Sequence, residues 1–474
     1  MGKPTGFLEY ERKTAPYRPV NERVADWREV SGGMLDEDEL RRQAARCMDC
    51  GIPYCHAMGC PVLNLIPEFN DAVYRGRWRE AMERLERTNN FPEVTGRICP
   101  APCEASCTLS INAAPVTIKQ IELAIAERAF AEGWVTPHPP SRETGKKAAV
   151  IGSGPAGLAA AQQLRRMGHA VTVFEKARRI GGILRYGIPD FKLEKTIIDR
   201  RLAQMEAEGV RFVTEVVIGE DISARYLRRQ FDAVLLCLGA GEPRDLHVPG
   251  RGLEGIHFAM DYLCQANRIH AAEHVEPPII SACGKTVLVI GGGDTGADCV
   301  GTAIRQGARK VYQYEILPKP LEWNEPTNPS WPYWPQILRS SSSHEEGCQR
   351  QWAVATKQFT SRNINVEEGH FVRVRWEQGR DGMKMVEEPG SEFSVKLDMV
   401  VLAMGFLHVK HSRLLEELGV TYAKNGNISV NNDYMTDQQG VFAAGDAHTG
   451  ASLIVRAIYH GRQAAEAVHQ YLSR

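Results

Sequence analysis

The fold is decided by residues 148–176, AAVIGSGPAGLAAAQQLRRMGHAVTVFEK. An apolar run, a glycine-rich turn, an alanine-rich segment and a second apolar run follow one another, which predicts a strand, a turn, a helix and a strand. The glycines allow a tight turn, a close approach of the backbone to a pyrophosphate, and close packing of helix on strand. The helix N-terminus adds free N–H groups and a positive dipole. The predicted phosphate contacts are Gly152, Gly154, Pro155, Ala156 and Gly157.

An acid at the end of the second strand strengthens this interpretation. Glu175 can accept hydrogen bonds from a ribose, and Lys176 follows it as a further predicted contact. A glycine pattern alone is weak evidence, but here a strand, a helix and a terminal acid flank it. The sequence therefore predicts a dinucleotide site; the alternative is a tight turn that binds no ligand.

A second unit of the same kind spans residues 285–315, KTVLVIGGGDTGADCVGTAIRQGARKVYQYE. It repeats the strand, glycine turn, helix and strand, so the chain holds two dinucleotide-type units. A vestigial unit without a cofactor is the alternative. The predicted contacts of this second site are Gly291, Gly292, Gly293, Asp294, Thr295, Gly296 and Arg309.

Three later features favour FAD at the first site. They are the glycine-rich loop GGILRYGIP at 181–189, the pair Gly445-Asp446, and a helix predicted to start at Ser452. With these features the chain resembles the pyridine-nucleotide-disulfide reductase-like flavoproteins, although it lacks a CxxC pair near the flavin. The resemblance implies FAD on the first glycine turn and a second Rossmann-like domain inserted into the first. The FAD contacts added at this point are Gly182, Leu184, Gly239, Gly445, Asp446 and Ser452.

The same resemblance assigns the nicotinamide cofactor to the second site, without deciding which one. Glu315 at the end of the strand favours the free 2′-hydroxyl of NAD. Arg309 and Lys310, at the turn before the strand, can instead meet the 2′-phosphate of NADP. We expect NADP, with NAD still possible.

Seven of the 12 cysteines lie between residues 47 and 107. Such clustering in a large chain points to metal rather than disulfides, and dense thiolates suit iron–sulfur clusters or zinc. Seven thiolates are too many for one tetrahedral ion and one short of two four-thiolate sites, and a pair of zinc sites is the alternative. The cysteines follow the patterns Cys47-x2-Cys50-x4-Cys55-x4-Cys60 and Cys99-x3-Cys103-x3-Cys107.

This arrangement resembles the helical double [4Fe-4S] domain of glutamate synthase small subunits and of dihydropyrimidine dehydrogenase. The resemblance implies two sets of ligands. The eighth ligand is implied to be a residue other than cysteine, and in TIKQIELAIAE the matching residue is Glu122, for which an ordinary helix-surface role is the alternative. The first set is Cys47, Cys50, Cys55 and Cys107; the second is Cys60, Cys99, Cys103 and Glu122.

The predicted fold class is α/β, with two Rossmann-like domains, one inserted in the other, behind a helical iron–sulfur domain. We expect the iron–sulfur domain at 1–140, the FAD domain at 141–280 and 407–474, and the NAD(P)H domain at 281–406. The net charge of -1 argues against a nucleic-acid binder. No apolar run is long enough to cross a bilayer and no secretory signal is evident, so we expect a cytoplasmic protein.

Nearly the whole chain resembles the glutamate synthase small (β) subunits. The resemblance is carried by GFLEYERKTAPYRPV, GGGDTGADCVGTAIRQGA and the Trp/Pro-rich NPSWPYWPQILRSSSSHEEG. It implies NADPH oxidation at FAD and electron transfer through the clusters to the FMN of a large (α) subunit, which makes L-glutamate from L-glutamine and 2-oxoglutarate. No side chain is expected to be catalytic, and a hetero-oligomer is expected.

Two alternatives remain. One is a related oxidoreductase acting on ferredoxin, a pyrimidine or a sulfur compound; the other is a zinc-stabilised, non-enzymatic scaffold. The sequence His344-Glu345-Glu346 is interpreted as a solvated or partner-facing loop.

Overall fold

The chain begins with a helical region and continues into two parallel sheets, each flanked by helices. The computed structural model describes residues 2–379 and 382–474. The α-helices are α1 (Gly6–Glu9), α2 (Val20–Arg23), α3 (Glu37–Ala45), α4 (Ile66–Tyr74), α5 (Trp78–Glu86), α6 (Pro92–Ile98), α7 (Pro102–Ala105), α8 (Ile118–Ala131), α9 (Pro155–Arg166), α10 (Ile183–Tyr186), α11 (Lys195–Ala207), α12 (Ala224–Gln230), α13 (Ala259–His270), α14 (Asp294–Arg305), α15 (Ser342–Glu345), α16 (Arg413–Leu418), α17 (Asp446–Thr449) and α18 (Ile454–Leu472).

Within the described residues, the strands fall into four sheets. They are β1 (Lys147–Ile151), β2 (Ala170–Phe174), β3 (Arg211–Val213), β4 (Ala233–Leu236), β5 (Glu242–Pro243), β6 (Ile256–Phe258), β7 (Thr286–Ile290), β8 (Lys310–Tyr314), β9 (Gln349–Gln351), β10 (Val354–Thr360), β11 (Glu368–Gly379), β12 (Gly382–Glu387), β13 (Phe393–Lys396), β14 (Met399–Leu402), β15 (Phe406–His408) and β16 (Val441–Ala443).

The helical region before β1 packs apolar residues of its longer helices into a shared core. In α5 the buried residues Trp78, Ala81, Met82 and Leu85 recur at helical spacing. A π-helical turn (Cys55–Gly59) and a 3₁₀ turn (Thr108–Ile111) interrupt the α-helices where the cysteines lie. The prediction of a largely helical N-terminal region is confirmed.

The first parallel sheet has the strand order β16-β4-β1-β2-β3. Its central strand β1 pairs in parallel with β2 and β4, and β16 returns from the C-terminal part of the chain to pair with β4. The last helix, α18, packs along α9. Along the sequence, the second unit therefore lies between the two parts of the first, as the predicted insertion requires.

The second parallel sheet has the order β6-β14-β7-β8-β9 and carries the second glycine turn between β7 and α14. Strand β6 pairs with β14, and α13 packs into the same core through Tyr262 and Leu263. The predicted start of this domain at residue 281 is therefore too late, because residues 256–270 already belong to its sheet and core. The antiparallel pair β5–β15 marks the crossing between the two units.

The segment that precedes the helical core fastens the domains together through a buried charge cluster. The Glu346 side chain is fully buried and forms ion pairs with Arg23 and Arg305. The closest nitrogen–oxygen distances are 2.9 Å to Arg23 and 2.6 Å to Arg305. The interpretation of this acid as part of a solvated or partner-facing loop is wrong, since its partners come from α2 and α14. Glu345, in contrast, is 47% exposed.

No helix within residues 2–379 and 382–474 combines the length and the apolar character needed to cross a membrane.

Candidate functional site

The first glycine turn is closed by backbone contacts that leave no room for side chains. Gly152 has a φ of +100°, and a Cβ there would lie 2.4 Å from the carbonyl oxygen of Cys237. A Cβ on Gly157 would lie 2.0 Å from the carbonyl oxygen of Gly152, so α9 packs directly on the turn. Around the Cβ position of Gly154, by contrast, no described atom lies within 4 Å. This open position before the α9 N-terminus fits a pyrophosphate.

The Glu175 carboxylate, just after β2, stabilises the turn by accepting hydrogen bonds from it. It accepts hydrogen bonds from the backbone N–H (3.0 Å) and hydroxyl (2.6 Å) of Ser153 and from the N–H of Ala177 (2.8 Å). A carboxylate offers about four acceptor positions, so one remains for a ribose hydroxyl. Sequence reasoning missed Ser153, since the residue between the two glycines of the pattern is unspecified.

The other predicted contacts near this turn differ in their exposure and in how closely they approach it. A Cβ on Gly182 would lie 2.8 Å from the Cα of Gly154, so the glycine-rich loop touches the turn. Gly239 has a φ of +71° and no described atom near its Cβ position. Lys176 is exposed, whereas Leu184 lies in the hydrophobic core.

The pair Gly445-Asp446 approaches the start of α9, as the FAD interpretation requires. A Cβ on Gly445 would lie 2.8 Å from the Cβ of Ala156. Burial raises the pKa of Asp446, although a hydrogen bond from the Ser452 hydroxyl (2.8 Å) opposes this. The predicted helix start at Ser452 is wrong by two residues, because α18 begins at Ile454.

A close contact between α18 and α9 was missed from sequence. A Cβ on Gly461 would lie 2.2 Å from the carbonyl oxygen of Ala156. Only glycine therefore allows α18 to press against the first turn of α9, beside the open phosphate position. A glycine within a long helical pattern is the signal that could have revealed this contact.

The second glycine turn repeats the geometry of the first. Gly291 has a φ of +120°, and a Cβ there would lie 2.2 Å from the carbonyl oxygen of Ala403. A Cβ on Gly296 would lie 2.3 Å from the carbonyl oxygen of Gly291. Around the Cβ position of Gly293 no described atom lies within 4 Å. This turn has the same open position for phosphate.

Glu315 fastens the second turn as Glu175 fastens the first. It accepts hydrogen bonds from the N–H groups of Gly292 (2.6 Å) and Leu317 (3.0 Å). Asp294 and Thr295 form the first two positions of α14, directly after the open turn. The two dinucleotide sites therefore share the conformation of the glycine turn and a glutamate that accepts hydrogen bonds from the N–H groups of that turn.

Arg309 lies at the wrong end of the sheet for the role predicted from sequence. Its guanidinium donates to Asp398 (2.8 Å) and to Thr286 (3.1 Å), at the amino ends of β14 and β7. The glycine turn lies at the carboxyl end of β7, a full strand away. Arg309 therefore cannot meet a 2′-phosphate there, and Lys310 beside it lies over the ring of Tyr312 instead.

Four of the clustered cysteines line one cavity. Apolar residues such as Ile66 and Leu109 complete its wall. Burial raises the pKa of Cys47 to about 12, and the nearby Cys107 and Cys50 thiols act in the same direction. Buried thiols of this kind bind metal only as thiolates, so a metal must replace their protons. The four are Cys47, Cys50, Cys55 and Cys107.

The other three clustered cysteines gather around Glu122. Burial raises the pKa of Cys60 and of Cys99 to about 12, and the Glu122 carboxylate acts in the same direction on both. Burial also raises the pKa of Cys103 strongly, and Cys60, Cys99 and Glu122 reinforce that effect. The electrostatic neighbours of the seven thiols thus divide into the two sets that the resemblance implies.

Glu122 is not a helix-surface residue. It is buried in α8, where its carboxylate accepts hydrogen bonds from Thr95, Asn89 (3.1 Å) and Asn64 (3.4 Å). Burial raises the pKa of Glu122 to about 7. A buried acid held by neutral donors among three thiols is chemically suited to bind iron.

The number of clustered thiols is suited to iron–sulfur clusters. Among the described residues, no three His, Cys, Asp or Glu side chains lie close enough to hold one metal ion. A tetrahedral zinc ion with bonds of about 2.3 Å would bring its sulfurs to about 3.8 Å from one another. Four thiols around a shared cavity are instead suited to a cube of iron and sulfide.

Comparisons with known proteins agree with this geometry. Residues 146–461 match the pyridine nucleotide-disulphide oxidoreductase family, and residues 23–134 match dihydropyrimidine dehydrogenase domain II, 4Fe-4S cluster. The second match contains all seven clustered cysteines and Glu122. Among solved structures, FprA from Mycobacterium tuberculosis in complex with NADPH has a TM-score of 0.55 and 17% identity, covering 69% of this chain and 85% of that one. This likeness shows the fold.

Curated relatives extend the match to the whole chain. The glutamate synthase [NADPH] small chain of Mycobacterium tuberculosis (strain H37Rv) is 54% identical and covers 100% of this chain and 96% of its own. That of Bacillus subtilis (strain 168) is 46% identical, with 100% and 99% covered. Glutamate synthase [NADH] of Schizosaccharomyces pombe is 44% identical over 99% of this chain and 23% of its own. With its flavoprotein fold and its iron–sulfur domain, this chain belongs to the glutamate synthase small-chain family of oxidoreductases.

Proposed function

We propose that this chain is the electron-input subunit of a cytoplasmic NADPH-dependent glutamate synthase, and that its partner is the large subunit with FMN. The observation that supports the proposal is that four thiols line one cavity, while the other three lie close enough to the buried Glu122 carboxylate for its charge to raise their pKa values. When bound, FAD accepts the hydride of NADPH, and the clusters pass the electrons on singly. The residues of the chain bind and orient these groups.

The flavin domain and the cluster domain touch directly, which supports a path between them. The Asn90 side chain donates to Gln162 of α9 at 2.6 Å and accepts from Arg462 of α18 at 2.5 Å. Arg462 also donates to the backbone carbonyl of Arg87 (2.7 Å). Because α9 and α18 flank the open phosphate position, the flavin site and the cluster domain share these two helices.

The proposed ligands are grouped by cofactor. For FAD they are Gly152, Gly154, Pro155, Ala156, Gly157, Glu175, Lys176, Gly182, Leu184, Gly239, Gly445, Asp446 and Ser452. For NADPH they are Gly291, Gly292, Gly293, Asp294, Thr295 and Gly296. The first cluster takes Cys47, Cys50, Cys55 and Cys107, and the second takes Cys60, Cys99, Cys103 and Glu122.

Nicotinamide preference is part of this proposal. The small-chain relatives from Mycobacterium tuberculosis and Bacillus subtilis are named for NADPH, and the Schizosaccharomyces pombe protein for NADH. We propose NADPH because the more similar full-length relatives are named for NADPH. Glu315 at the strand end is compatible with a free ribose hydroxyl as well, so residual turnover with NADH is expected.

The test is reconstitution with the large subunit of a related glutamate synthase. We expect NADPH-driven formation of L-glutamate from L-glutamine and 2-oxoglutarate only when both proteins are present. C50S should abolish it and lower the iron content, whereas C283S should not, because Cys283 is exposed and outside both sets. Rapid reduction of ferredoxin by the chain alone, with no response to the large subunit, would favour a different oxidoreductase.

A further inference from the structure

A proline-rich segment of the nicotinamide domain reaches the cluster domain. Residues 318–335 follow β8 and contain no regular strand or helix. Asn328 donates from its backbone N–H to the carbonyl of Ser110 (2.6 Å) and from its side chain to the carbonyl of Ala105 (2.9 Å). The Ser106 hydroxyl donates to the carbonyl of Pro332 (2.7 Å). The segment is therefore fastened to residues 105–110, the loop that carries Cys107.

Trp331 of this segment contacts both stretches of chain that supply the first ligand set. Its indole N–H donates to the backbone carbonyl of Cys107 (3.2 Å). Its ring lies 4.8 Å, centroid to centroid, from the ring of Tyr54, the neighbour of Cys55. Trp331 is half-buried, whereas Trp334 in the same segment is 37% exposed and lies against Arg339.

We propose that Trp331 is a positioning residue of the first cluster, supplied by the nicotinamide domain. The inference rests on the proposed function, because it requires a cluster on Cys47, Cys50, Cys55 and Cys107. By joining Tyr54 to the Cys107 loop, the indole holds the two ligand-bearing stretches together and covers them on the side of the nicotinamide domain. The exposure of a cluster and the hydrogen bonds around it set its reduction potential.

The direction of the effect follows from charge. A [4Fe-4S] cluster on four thiolates becomes more negative when it is reduced, and water stabilises the more highly charged form. Removal of the indole admits water, so it should raise the potential of the first cluster. The described contacts of Trp331 are with Cys107 and Tyr54, which belong to the stretches of the first set, so the second cluster should keep its potential.

The test is an anaerobic redox titration of the full chain, followed by electron paramagnetic resonance. E122Q identifies the signal of the second cluster, since it changes a ligand of that set alone. We expect W331A to raise the potential of the first cluster by about 59 mV, a tenfold change in a one-electron equilibrium. W331F, which keeps a ring but lacks the N–H donor, should give a smaller shift of the same sign, and W334A should give none.

The outcomes separate this inference from the proposed function. A first-cluster potential that is the same in W331A, W331F and W334A would overturn the role of Trp331. If W331A fails to fold, the comparison of W331F with W334A decides in the same way. A wild-type chain that shows no iron–sulfur signals at all would refute the proposed function as well.

Discussion

Replacement of Glu346 by alanine should lower the free energy of unfolding of the nicotinamide domain. The fully buried carboxylate pairs with two arginines whose side chains are 2% and 1% exposed, Arg23 and Arg305. Arg23 comes from the segment before the helical core, and Arg305 ends α14 behind the second glycine turn. E346A would leave both cations buried without their shared anion.

The size of the expected loss in unfolding free energy follows from the burial of this ion pair. Loss of one partner of a buried ion pair costs about 3–5 kcal/mol, because the remaining charge stays desolvated. Both arginines keep some backbone acceptors, among them the carbonyl of Ser342 for Arg23 (2.8 Å), so we expect the lower end, about 3 kcal/mol. The adjacent E345A removes an exposed partner of Arg23 and should cost about 1 kcal/mol or less.

The assay is urea unfolding of E346A and E345A beside the wild-type chain, with the first transition followed by tryptophan fluorescence and by protease sensitivity of residues 318–335. With a slope of about 3 kcal/mol/M, E346A should shift the first midpoint down by about 1 M. Equal midpoints for E346A and E345A would refute the reasoning, since exposure and burial would then make no difference.

Three further outcomes are expected. G461A should reduce the ratio of flavin to protein by more than half, because the added Cβ would meet the carbonyl of Ala156 at 2.2 Å and push α18 away; G252A, at an open position, is the control. R309A should change KM for NADPH by less than about twofold, since its guanidinium faces the opposite edge of the sheet; a tenfold rise would contradict this placement. Burial lowers the pKa of His460 to about 4, so the folded chain binds fewer protons than the unfolded chain below pH 6.5 and loses stability as the pH falls. H460Q should therefore lose about 1 kcal/mol less than wild type between pH 7 and 5, after allowance for partial exposure, and equal losses would show that folding does not lower the pKa of His460.

The parts of the fold set by local chemistry could be predicted from sequence. The two glycine turns need positive φ at Gly152 and Gly291 and tolerate no Cβ at the helix start, so glycine spacing reports them directly. The prolines of segment 318–335 are incompatible with a regular strand or helix, and the structure has neither there. The start of the second domain was misplaced because β6 is only three residues long, and its partner β14 lies far along the chain.

The contacts that depend on distant residues could not be predicted. Glu346 is buried because Arg23 reaches it across 323 positions of sequence. Trp331 meets Cys107 only because the two domains dock. Arg309 is a different case: a residue just before a strand lies at its amino end, so topology alone could have separated it from the glycine turn.

The most direct test of electron transfer through the chain is an anaerobic titration of the purified protein with NADPH, alone and with the large subunit. Flavin, iron and sulfide are quantified in the same sample. We predict one FAD and about eight iron atoms per chain, flavin bleaching on addition of NADPH, and reoxidation through the clusters when the large subunit is added together with L-glutamine and 2-oxoglutarate. A sample with full FAD but without iron-bound sulfide, or with clusters that never exchange electrons with the flavin, would contradict it.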